Sequence, residues 1–144
     1  MGNPSGFIDV PRCSLPKRDL ADRLKDYKEI VGALDDKTVA QQASRCMDCG
    51  VPWCHLIGCP VGNHIPVFND MVYRGQFAEA LDILHATNNF PELTGRICPA
   101  PCEAACTLSI GDAPVLIKHI EQRIVEFGFA RGLIRAQPAA KDRK

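Results

Sequence analysis

Eight cysteines stand out in this chain of 144 residues. Seven lie in two blocks, Cys46-x2-Cys49-x4-Cys54-x4-Cys59-Pro60 and Cys98-Pro99-x2-Cys102-x3-Cys106. Thiolates are soft ligands, and dense cysteine favours zinc or iron–sulfur clusters. Closely spaced cysteines of one loop can wrap three corners of a cubane, and the fourth corner must then come from elsewhere in the chain. A Cys-Pro whose thiolate crosses to a second cluster is one known device for this. Cys59-Pro60 and Cys98-Pro99 have that form, with longer spacers. Zinc is the rival metal: two tetrahedral sites built of four thiolates, or of three thiolates and the imidazole of His55 or His64. C-x2-C-x4-C-x4-C in a single loop fits a cluster rim better than paired zinc knuckles. Disulfides rank third. The N-terminus, MGNPSGFIDV, has no apolar leader segment, so the expectation is a reduced, cytoplasmic protein whose thiols hold metal.

Two four-iron clusters would need eight ligands, and the two blocks supply seven. Either Cys13, far upstream, completes the set, or a residue other than cysteine does. Glu121 is the preferred candidate of the second kind. It shares a helix side with Ile117, Ile120 and Ile124, and a carboxylate on an apolar face is costly unless it is paired or coordinates metal. The competing reading is a glutamate that reaches solvent at the edge of the stripe or pairs with an arginine. Trp53, beside Cys54, is read equally as a water shield for a cluster or as a plain core residue. Arg45 and Arg96 flank the cysteine blocks and are read as solvated, with an offset of cluster charge as the competing reading. His85 is read as packed, and the Lys/Asp-rich segment 17–29 as a solvated helix face.

The elements that must position these residues read as helices and loops. Residues 1–16, with Pro4, Pro11 and Pro16, form an extended lead-in. Leu20, Leu24, Tyr27 and Val31 recur at helical spacing and predict a helix ended by Gly32, with Asp35 or Asp36 capping the next. Residues 46–66 read as irregular loop. Two short helices broken at Gly75 follow over 66–90, with Pro66 at a first helical position and Phe77, Ala80, Leu81 and Leu84 on one face. A further helix spans about 114–127, with Ile117, Ile120, Ile124 and Phe127 along one side. No segment alternates as a strand does. Lys plus Arg equals Asp plus Glu at 17 each, which argues against a nucleic-acid face. No apolar run approaches the roughly 18 residues a membrane helix needs. Gly-x-Gly-x-x-Gly, Gly-x-Ser-x-Gly, His-Glu-x-x-His and phosphate-loop patterns are all missing, so the chain has parts for moving electrons and none for substrate chemistry.

The runs RCMDCGVPWCHLIGCPVGNHIP, ATNNFPELTGRICPAPCEAAC and APVLIKHIEQ resemble the N-terminal domain of the glutamate synthase small (beta) subunit. They are similar, more distantly, to the N-terminal domain of dihydropyrimidine dehydrogenase and related flavin oxidoreductases. The resemblance runs from about Phe7 to Pro138. It implies an all-α fold of the α-helical ferredoxin type, with residues 1–127 as a helical iron–sulfur domain. Residues 128–144 would lead toward an FAD- and NAD(P)H-binding domain that this chain does not include. It implies two [4Fe-4S] clusters, one on Cys46, Cys49, Cys54 and Cys106, the other on Cys59, Cys98 and Cys102 with Glu121. Cys13 is then a bystander, and no residue here is catalytic. Electrons would pass from NAD(P)H through FAD and the clusters to a large (alpha) subunit that makes glutamate. The expected partners are that subunit and the flavin domain, with no nucleic acid and no membrane. The alternative is a structural zinc-binding interaction module that uses the same cysteines.

Overall fold

The computed structural model describes residues 2–136, and these residues form a helical bundle. The expected linker over 128–144 lies partly outside the described residues. Two single-turn helices come first, α1 (Gly6–Asp9) and α2 (Leu20–Arg23). They are followed by α3 (Asp36–Ala43), a π-helical turn (Cys54–Gly58), α4 (Ile65–Tyr73) and α5 (Phe77–His85). Then come α6 (Pro91–Ile97), α7 (Pro101–Ala104), a 3-10 turn (Thr107–Ile110) and the long α8 (Ile117–Ala130). Among the described residues there is no strand, only a single antiparallel bridge between Lys17 and Val31.

Local chemistry accounts for the helix starts. The Asp35 carboxylate accepts from the Thr38 N–H at 2.9 Å and caps α3. Pro66 and Pro91 sit in the first turns of α4 and α6, where the missing N–H costs nothing. The core is built from one face of each longer helix. Val39 and Ala43 of α3, Phe68 and Val72 of α4 and Leu81 and Leu84 of α5 meet Ile117, Ile120 and Ile124 of α8. The stripes expected on α5 and α8 are therefore the buried ones, and α8 runs on past Phe127 to Ala130.

The helix expected over 20–31 does not form. Only Leu20–Arg23 is helical, and Leu20, Leu24 and Tyr27 are all exposed. The chain doubles back instead. Arg18 N–H donates to Ile30 O, Gly32 N–H to Pro16 O, and the Arg18 guanidinium grips both oxygens of Asp26 at 2.8 Å. A helix this short is marginal in water without tertiary support, and here its apolar side finds no surface to bury. Two other helices, α6 and α7, fall in segments with no clear helical pattern.

Candidate metal centre

The first cysteine group is assembled from three separate parts of the chain. Cys46 and Cys49 follow α3, Cys54 opens the π-helical turn, and Cys106 lies between α7 and the 3-10 turn. All four line one cavity, together with Arg45, Trp53, Ile65 and Asn69. Burial pushes the Cys54 thiol up to about 12, and the neighbouring Cys46, Cys106 and Cys49 add to the effect. Burial also raises Cys46, against the pull of the Asp48 N–H. Asp48 takes a left-handed conformation, φ 50°, to bring its N–H there, and aspartate tolerates that region better than most residues.

The second group joins the end of the same turn to α6, α7 and α8. Burial drives Cys102 up to about 12, with Glu103, Cys59, Glu121 and Cys98 contributing in that order. Two backbone N–H groups donate to sulfur at 3.4 Å, Asn63 to Cys59 Sγ and Ala100 to Cys98 Sγ. Ala100 holds a left-handed φ of 56° to do so. Gly58 lets the turn lie against α7, since a Cβ there would stand 2.8 Å from Cys102 Cα. Gly95 plays the same part between α6 and α8, against the Gln122 backbone.

Glu121 is 7% exposed. Its Oε1 accepts from Asn88 Nδ2 at 2.7 Å, Asn63 Nδ2 at 2.9 Å and Thr94 Oγ1 at 3.2 Å. Among the described residues no donor is assigned to Oε2. Burial raises the carboxyl above its ordinary value, and the three donors partly counter it. The carboxylate is thus largely buried and pairs with no arginine among the described residues. Asn63 joins the ends of this group: its N–H goes to Cys59, its amide to Glu121, its Oδ1 accepts from Thr87, and its carbonyl from His55 Nδ1. Asn63, Asn88 and Thr94 carried no sequence signal of their own, because nothing local marks an asparagine that will meet Glu121.

Arg45 corrects an expectation. It is not solvated but fully buried, and its two terminal nitrogens bond Asp112 Oδ2 and the carbonyls of Ala113 and Pro114. The position before Cys46 carries it inward with α3, and it ties the start of the cysteine loop to the segment preceding α8. Arg96 is exposed and pairs with Glu29 and Glu126. Trp53 is half-exposed at the rim of the first cavity rather than in the core, and His85 is half-buried. Cys13 is not among the residues that line the first cavity, and its N–H is bonded to Gln42 Oε1 at 3.1 Å.

Both donor sets suit a cationic inorganic group. Cys54 and Cys102, their thiols pushed up to about 12, stay protonated alone, and several thiolates crowded together repel unless metal charge offsets them. Among the described residues no three His, Cys, Asp or Glu side chains are arranged to hold a single metal ion. A cubane makes a different demand, because it spreads four ligands over its irons.

Residues 23–133 match the family described as dihydropyrimidine dehydrogenase domain II, 4Fe-4S cluster. The chain belongs to this family of iron–sulfur, electron-transfer domains. It is 49% identical over 142 residues to the glutamate synthase [NADPH] small chain of Mycobacterium tuberculosis, covering 98% of this chain and 29% of that one. It is 48% identical to the small chain of Bacillus subtilis, covering 94% and 29%. It is 46% identical to the glutamate synthase [NADH] of Saccharomyces cerevisiae, covering 92% of this chain and 6% of that one. The chain therefore spans less than a third of the relatives' length. Among the described residues no helix is long and apolar enough to cross a membrane.

Proposed function

We propose that this chain is the two-cluster electron-transfer part of an NAD(P)H-dependent glutamate synthase small subunit. The observation that carries the reading is the division of the seven block cysteines into two sets, one lining a shared cavity with buried Cys54 and the other gathered around buried Cys102. In this reading Cys46, Cys49, Cys54 and Cys106 hold one [4Fe-4S] cluster. Cys59, Cys98, Cys102 and Glu121 hold the other, with Oε2 as the ligand atom. The bound clusters would supply one-electron carriage.

The protein's own residues do the rest. Asn63, Asn88 and Thr94 fix Glu121 through Oε1 and leave the other oxygen free of donors from the described residues. The N–H groups of Asn63 and Ala100 stabilise negative charge on Cys59 and Cys98. The turn from Cys54 to Gly58 serves both groups and keeps them close, which short-range electron transfer requires. Trp53, Leu56 and Ile57, together with Val51 and Val61, expose apolar surface on that loop. Such a patch suits the docking of a flavin domain or a large subunit where electrons enter or leave. Residues 128–144 would lead to the FAD- and NAD(P)H-binding part.

The test is iron, acid-labile sulfide and zinc per chain in anaerobically purified protein. About eight irons and eight sulfides are expected for two cubanes. Stoichiometric zinc without sulfide, persisting after anaerobic reconstitution, would refute the reading in favour of a structural zinc module.

A further inference from the structure

Two donors buried beside the first thiol group have nothing to bond. Asn69, on the inward side of α4, is fully enclosed, and neither atom of its amide has a hydrogen-bond partner among the described residues. Arg45 spends its terminal nitrogens on residues 112–114, but its enclosed Nε has no partner either. Both residues line the cavity shared by Cys46, Cys49, Cys54 and Cys106. A buried amide without partners is costly, and an apolar side chain would fill the same place without that cost.

The acceptor this cavity offers is sulfur. Four of its lining residues are cysteines, Cys46, Cys49, Cys54 and Cys106. Amide rotation decides which end faces the cavity, and an anionic sulfur attracts N–H and repels the oxygen. Hydrogen bonds to the sulfurs are among the factors that set a cluster's reduction potential, because they stabilise the more negative, reduced state.

We propose that Asn69, seconded by the Nε–H of Arg45, is a built-in hydrogen-bond donor to the sulfur of the first cluster and raises its reduction potential. The inference rests on the iron–sulfur reading above. It concerns a donor that is not a ligand, so loss of Asn69 should leave the cluster bound and change its poise. The second group has its donors already seated, with Asn63 on Cys59 and Ala100 on Cys98, so its potential should not respond.

The experiment is a dithionite titration of the full chain, purified anaerobically with its clusters and followed by low-temperature EPR. Dithionite supplies one electron to each cluster, taking it from the 2+ to the 1+ level without a proton. The first cluster's signal is the one missing from Cys46→Ser. In Asn69→Leu that cluster's reduction equilibrium should shift about tenfold toward the oxidised form, or about 59 mV for one electron. The second signal should stay in place. Asn69→Ser, which keeps an O–H donor, should recover part of the shift.

Unmoved potentials, or a lowered thermal midpoint with unmoved potentials, would overturn the proposal and leave Asn69 a packing residue. If the leucine variant loses the first cluster, Asn69→Ala and Asn69→Ser decide: the same potential in both overturns the proposal, and a lower one in the alanine variant supports it. Wild-type protein without iron and sulfide would refute the underlying reading, a different outcome from normal iron content with unmoved potentials.

Discussion

Gly58 is the point where the two cysteine groups meet, and substituting it tests whether their spacing matters. It ends the turn that opens at Cys54 and immediately precedes Cys59. A Cβ at this position would stand 2.7 Å from Ala105 Cβ, 2.8 Å from Cys102 Cα and 3.2 Å from the Trp53 carbonyl oxygen. Carbon atoms prefer about 3.5–4.0 Å, so the turn and α7 would have to part by roughly 1 Å. None of the three atoms is the end of a flexible side chain, so the backbone must give way. Overpacking of this kind costs about 1–3 kcal/mol. Taking the middle of that range, Gly58→Ala should lower the thermal midpoint by about 6 °C, at about 3 °C per kcal/mol for a domain of this size. The displacement also separates Cys59 from Cys102, so the second cluster should be lost first. The assay is anaerobic thermal unfolding by circular dichroism, with iron and sulfide counted on the same sample. Ala105→Gly added to Gly58→Ala should restore part of the loss, because it relieves the nearest clash and leaves the one with the Cys102 backbone. A Gly58→Ala protein with wild-type midpoint and full iron would refute the reasoning.

Glu121→Ala should leave the first cluster intact and make the second labile or spectroscopically altered; an unchanged iron count and EPR spectrum would mean that the buried carboxylate serves only its Asn63, Asn88 and Thr94 partners. Cys46→Ser should cost one cluster and the order of the loop around it, whereas Cys13→Ser should keep the wild-type iron content, and iron loss in the Cys13 variant would overturn the ligand assignment. Asp35→Ala should lower the thermal midpoint through loss of the α3 cap. The Thr38 hydroxyl and N–H hold the Asp35 carboxyl below its ordinary value of 3.8, so the cap's contribution is present above that value and fades only as pH falls through the lower folded one. The difference between Asp35→Ala and wild type should therefore be the same at about pH 6 and about pH 8, and a difference that changes over this interval would show another titrating group at work.

The parts legible in the sequence were those written in local spacing. The C-x2-C-x4-C-x4-C loop and the second block announced soft-ligand chemistry because ligand spacing is a property of neighbouring residues. Pro66, Gly75 and the Phe77, Ala80, Leu81 and Leu84 stripe marked α4 and α5 for the same reason. Glu121 was conspicuous because its apolar neighbours recur at helical spacing. Periodicity misled at 20–31, where the same pattern of apolar residues had no surface to meet and an Arg18–Asp26 pair closed the loop instead. It was silent at α6 and α7, which are held by packing against α8 and against the Cys54–Gly58 turn.

The sequence by itself determined a helical, cysteine-rich, metal-seeking chain and the residues able to act as ligands, since side-chain chemistry and short-range periodicity are carried along the backbone. Only the tertiary structure decided which partners those residues meet. Arg45 reaches Asp112, Asn63 and Asn88 reach Glu121, and Asn69 is sealed against the first thiol group, all across long stretches of intervening chain. Such meetings arise when α3, α4, α6 and α8 pack, because burial removes water and leaves each polar group only the neighbours that the packed helices bring to it.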